Sequence, residues 1–184
     1  TTGAYAGGVI ATNGDVIFVP YAAAVGQKVS VASAVSTYSL VYTAQTYFGG
    51  VLAPNGDIHF IPNTAPVGQK ISVNNVVSTY SLVYTRASNV NTYCGGVLAP
   101  NGDINFIPYQ AAVGQKINAN GVVSTYSIVT TNNQGAYIGG VLSPNGDTHM
   151  IPYQNAVGQK ISSAGVVSTY SLVYNAAKAY SGGV

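Results

Sequence analysis

The chain repeats one segment along nearly its whole length, and this repetition is the strongest constraint on its fold. Each copy contains a Gly-Gly pair, at residues 7–8, 49–50, 95–96 and 139–140, and a fifth pair follows at residues 182–183. Successive pairs are 42, 46, 44 and 43 residues apart. Periods of this size are typical of propellers and solenoids, in which each repeat packs against its neighbours.

We therefore interpret residues 1–184 as a single repeat domain. The copies cover residues 5–46, 47–92, 93–136 and 137–179, and a fifth copy begins at residues 180–184. In each copy 37 residues separate the tyrosine before the glycine pair from the end of the last predicted strand, as from Tyr5 to Tyr42. The connectors between copies vary in length and sequence, which indicates stacked units joined by exposed loops.

The sequence pattern of each copy predicts four β-strands. The first, YFGGVLAP at residues 47–54, carries paired glycines that would weaken an ordinary strand and therefore indicate close backbone approach near a central axis. The second, DIHFIP, ends at a proline that cannot donate to a β-ladder. The third is VGQKI, and the fourth, VVSTYSLVY, is predicted over Val76 to Tyr84 because it alternates and is rich in β-branched and aromatic residues.

An Asn-Gly-Asp sequence joins the first two strands of every copy. Because a type I′ turn needs positive φ at both central residues, Asn-Gly predicts a tight hairpin at this point. We expect the aspartate to satisfy backbone donors of the turn rather than to bind a metal. The predicted turn residues are Asn13, Gly14, Asp15, Asn55, Gly56, Asp57, Asn101, Gly102, Asp103, Asn145, Gly146 and Asp147.

These strands predict an all-β fold, a β-propeller-like array of four four-stranded antiparallel blades with the glycine-bearing strand innermost. A linear β-solenoid is the alternative, although its coils are usually shorter and lack internal hairpins. The fifth copy leaves two arrangements open. The chain is part of a larger propeller or array, or Tyr180 to Val184 is donated to a neighbouring molecule, which would build a filament.

The amino-acid composition excludes several classes of structure and function. Charged residues are only 5% of the chain and hydrophobic residues 47%, which excludes simple disorder. The net charge of +2 is too small and dispersed for a nucleic-acid partner. No apolar run reaches the roughly 18 residues of a membrane span, so no membrane partner is expected. Cys94 is the only cysteine, which excludes an intrachain disulfide and a thiolate metal cluster, and we expect no cofactor.

Several residue types recur at equivalent positions and are candidate ligand contacts. The lysines either pair with the turn aspartates or face an anionic ligand. The tyrosines that follow the second strand either pack between blades or stack on sugar rings. The histidines share a position with Ile17 and Asn105, and no nucleophile–base–acid set is present. We therefore expect no metal site, no catalytic residue and no enzyme. The candidate contacts are Tyr21, Tyr109, Tyr153, His59, His149, Lys28, Lys70, Lys116 and Lys160.

The motifs GGVLAPNGDIHFIP, VGQKIS and VVSTYSLVY resemble repeats in structural and tail-fibre-like proteins of bacteriophages, many of them from aquatic metagenomes. The resemblance covers nearly the whole chain. It implies a virion-surface or extracellular structural role and assigns no binding residue. From the whole sequence we expect a structural protein that attaches to a receptor or cell-surface glycan through its variable connectors. We also expect self-association or contacts with other structural proteins. The alternatives are an extracellular filament built by strand exchange and a propeller lectin.

Overall fold

The computed structural model describes residues 3–43, 46–86, 90–129 and 134–183. These residues form 16 β-strands in four four-stranded antiparallel sheets, which confirms the predicted all-β fold. Residues 44–45, 87–89 and 130–133 of the connectors, and Val184 of the fifth copy, lie outside the described residues. Within the described ranges, no helix has the length and apolar character needed to span a membrane.

Each sheet is one repeat, and its strands are hydrogen-bonded in chain order. Blade 1 contains β1 (Tyr5–Ile10), β2 (Val16–Pro20), β3 (Val25–Val29) and β4 (Val35–Ser39). Blade 2 contains β5 (Tyr47–Leu52), β6 (Ile58–Pro62), β7 (Val67–Ile71) and β8 (Val77–Ser81). Blade 3 contains β9 (Tyr93–Leu98), β10 (Ile104–Pro108), β11 (Gly114–Ile117) and β12 (Val123–Tyr126). Blade 4 contains β13 (Tyr137–Leu142), β14 (Thr148–Pro152), β15 (Val157–Ile161) and β16 (Val167–Ser171).

The first strands of successive blades lie side by side, β1 against β5, β5 against β9 and β9 against β13. Gly7 and Gly49 have φ of 95° and 74°. A Cβ atom on Gly7 would lie 3.5 Å from the Cα of Gly49, and one on Gly49 would lie 3.4 Å from the Cα of Gly95. The predicted close approach of the inner strands is therefore confirmed, and the positive φ explains why glycine is needed.

The hairpin between the first two strands differs from the predicted type I′ turn. In blade 2 the N–H of Gly56 donates to the carbonyl of Ala53 at 3.0 Å, and the N–H of Ala53 donates to Asp57 O at 2.8 Å. Gly56 has φ of 84°, whereas Asn55 has no positive φ. This is a three-residue loop, a type I turn that ends in a left-handed glycine. Residue 54 is the first central position of this turn, where φ is negative and proline is favoured. Proline is not required there, because Thr12 holds the equivalent position in blade 1 and the N–H of Gly14 still donates to the carbonyl of Ala11 at 2.9 Å.

The fourth strand is shorter than predicted, since β8 ends at Ser81 rather than at Tyr84. Beyond Ser81, the N–H groups of Val83 and Tyr84 donate to Gln115 Oε1 of blade 3, at 2.9 and 2.8 Å. The same contact joins blade 1 to blade 2, where Gln69 is the acceptor. The chain after the fourth strand therefore bonds to the next blade instead of extending its own sheet.

The hydrophobic core lies between blades. One cluster combines Ile17 and Val19 of blade 1 with Tyr47, Phe60 and Ile71 of blade 2, and all five side chains are at most 2% exposed. Equivalent residues form clusters between blades 2 and 3 and between blades 3 and 4. A blade in this array therefore completes its core only against a neighbour, as expected for a repeat protein.

We expect Gln115→Leu to lower the free energy of unfolding by about 1–2 kcal/mol, because two backbone N–H groups lose their acceptor. The loss is moderated because the substitution also removes Gln115 Nε2, a buried donor without a partner in the described residues. Urea denaturation followed by circular dichroism measures the change. Gln27→Leu in dilute protein is the matched control, since Gln27 holds the same position in blade 1 and its side chain forms no hydrogen bond within the described residues. Equal losses of unfolding free energy in the two variants would contradict a stabilising role for the hydrogen bonds between Gln115 and blade 2.

Candidate functional site

A cavity of about 160 Å³, which we call the inner pocket, receives side chains from all four blades. It is lined by Tyr21, Phe48, Asn63, Asn91, Cys94, Tyr109 and Ile138. Pockets for whole small molecules usually measure roughly 300 Å³ or more. The inner pocket is therefore smaller than a typical site for a whole small molecule.

Equivalent positions of successive repeats build the inner pocket. Phe48, Cys94 and Ile138 are the second residues of β5, β9 and β13, directly before the glycine pairs. Tyr21 and Tyr109 follow the prolines that end β2 and β10. Because the first strands of successive blades lie side by side, these residues from different blades come together and line one pocket.

Of the three tyrosines predicted to contact a ligand, Tyr21 and Tyr109 line the inner pocket, and Tyr153 lies beside it. The ring centroids of Tyr109 and Tyr153 are 6.1 Å apart. Sequence reasoning did not single out Phe48 or Asn91 as ligand contacts. The available signal for Phe48 was the variation at its position, which holds alanine, phenylalanine, cysteine and isoleucine in the four copies.

The inner pocket combines aromatic surface with polar groups. The ring of Tyr21 meets Phe48 edge-on, with centroids 6.3 Å apart and an interplanar angle of 81°. Within the described residues, neither the hydroxyls of Tyr21 and Tyr109 nor the Asn91 side chain forms a hydrogen bond. Asn63 is different, because its Nδ2 donates to Tyr93 O at 2.8 Å and its Oδ1 accepts from Thr46 at 3.2 Å.

Cys94 contributes a protonated thiol to this pocket. Its side chain is buried, and Sγ donates to the carbonyl of Ile138 at 3.6 Å. Burial raises the pKa of Cys94 to about 11. Because the thiolate is the nucleophilic form, Cys94 is poorly suited to attack a substrate near neutral pH.

The four lysines pair with the turn aspartates of their own blades. Lys28 Nζ lies 3.3 Å from Asp15, and the other pairs are 2.5 to 2.6 Å apart. The Lys160 hydrogen bond, the largest contribution, lowers the pKa of Asp147 despite the opposing effect of burial. The remaining pairs are Lys70–Asp57 and Lys116–Asp103. Across the described ranges, no group of three or more His, Cys, Asp or Glu side chains is arranged to bind a metal ion.

A second cavity, which we call the interblade cleft, lies between blades 2 and 3 and has a volume of about 300 Å³. The equivalent space between blades 1 and 2 has only about 20 Å³. Val73 and Asn75 line the smaller space, whereas Ala119 and Gly121 stand at the same positions of blade 3. The smaller side chains account for the wider cleft. Lys28 Nζ also reaches Asn75 Oδ1 at 3.3 Å across the smaller space.

His59 lines the interblade cleft together with Lys70. It is 5% exposed, and its Nδ1 lies 3.4 Å from Tyr80 Oη. Burial is the main cause that lowers the pKa of His59 to about 4, and Lys70 adds to the effect. His59 is therefore neutral at pH 7. His149 occupies the same position in blade 4, 3.4 Å from Tyr170 Oη, and neither histidine lines the inner pocket.

No protein-family model matches the sequence, and no curated protein is similar to it in sequence. Solved structures do share its fold. They include virginiamycin B lyase from Staphylococcus aureus, with a TM-score of 0.79 and 18% identity over 93% of this chain and 56% of that one. A streptogramin B lyase has a TM-score of 0.79 and 21% identity over 95% and 57% of the two chains. An auxiliary nutrient binding protein from Bacteroides ovatus has a TM-score of 0.63 and 15% identity over 91% and 41%.

The fold is that of a β-propeller. The chain spans little more than half the length of the two lyases, and identities this low establish only the shared fold. The expectation that the chain is not an enzyme was wrong, because solved propellers with this architecture include lyases. That expectation relied on the absence of a recognisable catalytic set, and a fold that hosts enzymes and binding proteins gives no ground for excluding catalysis.

We expect His59 to make stability depend on pH. Because its pKa is about 4 in the folded chain and about 6.5 when unfolded, the unfolded state binds more protons between these values. The free energy of unfolding should therefore have its maximum value above pH 6.5. Between pH 6.5 and pH 4 it should fall by up to about 1.4 kcal/mol per pH unit. His59→Asn should remove this dependence in urea titrations across the range. His149→Asn, at the less buried equivalent position, is the matched control, and an unchanged pH profile for His59→Asn would contradict the prediction.

Filling the interblade cleft should stabilise the array. The double variant Ala119→Val/Gly121→Asn copies the residues of blade 2, and asparagine fits because Asn75 has φ of 61° and Gly121 of 80°. Burial of the added apolar groups predicts a gain of about 1 kcal/mol in the free energy of unfolding. The reverse variant, Val73→Ala/Asn75→Gly, should lose a similar amount. Thermal and urea unfolding measure the stability of both double variants. If the two variants changed the free energy of unfolding in the same direction, the volume of the cleft would not explain the effect.

Proposed function

We propose that this chain is a propeller segment of an extracellular or virion-surface structural protein that attaches to a cell-surface glycan through the inner pocket. The observation that carries the proposal is the composition of the pocket. Two aromatic rings meet at 81° beside tyrosine hydroxyls and an amide that form no hydrogen bond within the described residues.

A sugar ring suits this chemistry. Its C–H faces pack against aromatic rings, and its hydroxyls hydrogen-bond to tyrosine and asparagine side chains. The volume of about 160 Å³ fits one ring-sized unit of a longer glycan. No lysine or aspartate lines the pocket, which favours a neutral ligand over a charged one.

The comparisons agree with a ligand-binding role without specifying the ligand. One protein with this fold is described as a nutrient binding protein, and another as a lyase with quinupristin. The location at a virion or cell surface is supported by the resemblance of the repeats to those of phage structural proteins. The propeller lectin considered from the sequence uses the same pocket chemistry and differs only in the wider protein to which the segment contributes.

Binding can be tested with glucose, galactose, mannose and N-acetylglucosamine, each titrated to millimolar concentration and monitored by NMR chemical shifts. We expect at least one sugar to bind. Tyr21→Ala should raise its Kd about tenfold, because an aromatic contact of this kind contributes roughly 0.5–1.5 kcal/mol beyond its buried area. Tyr109→Phe should weaken binding to a smaller extent, since it removes only the hydroxyl.

Tyr174→Ala is the matched control, because Tyr174 is 63% exposed and does not line the inner pocket. It should leave the Kd unchanged. Failure of all four sugars to bind, or equal effects of Tyr21→Ala and Tyr174→Ala, would overturn the proposal. Mass spectrometry of the sugars after incubation adds a separate test, since a chemically altered sugar would identify the pocket as catalytic rather than as an attachment site.

A further inference from the structure

The three joints between blades bring the second residue of one blade's second strand close to the first residue of the next blade's second strand. Between blades 1 and 2 these residues are Ile17 and Ile58, which line the same small space. Between blades 3 and 4 they are Asn105 and Thr148, and Asn105 Nδ2 donates to Thr148 Oγ1 at 3.4 Å. Each of these two joints is chemically matched, the first by two apolar side chains and the second by two polar ones.

The joint between blades 2 and 3 is not matched. His59 and Ile104 line the interblade cleft here, so a polar ring is paired with an apolar side chain. His59 is 5% exposed, and its Nδ1 lies 3.4 Å from Tyr80 Oη. Its Nε2 forms no hydrogen bond with any described residue, and it is not sealed from solvent as the Nε2 atoms of the buried glutamines are. Because a buried polar group is costly without a partner, Nε2 needs one from within the cleft.

Tyr80 determines which nitrogen of His59 carries the proton. Burial raises the pKa of Tyr80, so its hydroxyl is protonated. In the part of the chain that the structure describes, His59 Nδ1 is the only acceptor for this hydroxyl, whereas Tyr38 and Tyr126 donate to backbone carbonyls in blades 1 and 3. When Tyr80 donates to Nδ1, the neutral imidazole carries its proton on Nε2. His59 therefore presents an N–H donor to the cleft.

Lys70 adds a second donor beside His59. The two residues are directly opposite each other on β6 and β7, so their side chains share one face of the sheet. Lys70 Nζ lies 2.5 Å from Asp57 Oδ2, which uses one of its three N–H groups. Lys28 uses a second such group on Asn75 Oδ1 of the next blade. The residue at the Asn75 position of blade 3 is a glycine, and Lys70 Nζ has no second partner within the described ranges.

The other side chains that line the cleft are apolar or present amide groups. Asn118 Oδ1 already accepts from the N–H groups of Asn120 and Val122, at 3.0 and 2.9 Å, so its Nδ2 amide remains as a donor. Ile104 and Ile117 supply apolar surface, and none of the described residues that line the cleft is acidic. With a volume of about 300 Å³, the cleft reaches the size of sites for whole small molecules.

We propose that the interblade cleft binds a small organic carboxylate. The carboxylate accepts hydrogen bonds from Lys70 Nζ and His59 Nε2, and the apolar body of the ligand packs against Ile104 and Ile117. Hydrogen bonds of this kind are strong because charged groups take part in them. The Lys70–Asp57 ion pair remains, since the ligand uses N–H groups that the aspartate leaves free. This site is separate from the inner pocket, which no lysine lines, and it does not depend on the glycan proposal.

Benzoate is a suitable probe, and benzamide is its neutral analogue. Each is titrated to millimolar concentration at constant ionic strength, and NMR follows the amide signals of Lys70 and Ile104 and the imidazole signals of His59. We expect benzoate to give saturable shifts at these residues and benzamide to bind at least about tenfold more weakly. Lys70→Gln should raise the Kd for benzoate about tenfold, because the charged donor is lost.

Two further variants test the cleft itself, and circular dichroism confirms that each is folded. Ala119→Val/Gly121→Asn narrows the cleft with residues that blade 2 already carries, and it should abolish the shifts. His59→Ile copies the apolar match of Ile17 with Ile58 and should raise the Kd for benzoate about tenfold.

The matched control is Val73→Ala/Asn75→Gly, which opens the joint between blades 1 and 2 and frees Lys28 but leaves Ile17 at the histidine position. It should gain no benzoate site. The absence of saturable shifts with benzoate, equal affinity for benzamide, or an unchanged Kd in Ala119→Val/Gly121→Asn would overturn the proposal. Equal binding beside Lys28 in the control would also overturn it, because any exposed lysine would then account for the effect.

Discussion

Hydrogen bonds from the end of each blade to a glutamine of the next blade fix the position of neighbouring blades relative to each other. Gln69, Gln115 and Gln159 are completely buried, and each accepts backbone N–H groups just beyond the last strand of the preceding blade. Through this contact the outer part of one blade is fixed to the third strand of its neighbour. The glutamine hydrogen bonds, the apolar clusters and the close approach of the inner strands all join the same pairs of blades. All three therefore depend on the same distance between neighbouring blades.

Much of the fold could be predicted because its signals are local and repeated. The period, the glycine pairs and the alternating strands define four blades without reference to distant residues. The errors have two physical origins. Asn-Gly suggested a type I′ turn, but the turn begins one residue earlier, at Pro54 in blade 2 and Thr12 in blade 1, so only the glycine adopts positive φ. Tyr84 appeared to extend its strand, because a pattern within one copy does not show that its N–H bonds to Gln115 in the next.

The candidate site was predicted in part. Tyr21 and Tyr109 could be identified because a tyrosine after a strand-ending proline recurs between copies. Phe48 and Cys94 could not, since their position varies and gains meaning only when several blades converge on one pocket. The expectation that the histidines are not a catalytic constellation stays a prediction, whereas the conclusion that the chain is not an enzyme went too far. A fold of this kind leaves function to the residues of its pocket.

The joints between blades share one chemistry, and this has a consequence for how such a gene changes. A duplication or deletion of one whole repeat by unequal recombination brings together two faces that already match. The product needs no compensating substitutions in its core, because glutamine, isoleucine and glycine partners arrive together with each copy. The fit between neighbours therefore does not restrict the number of blades, and a single recombination event can add or remove a whole blade.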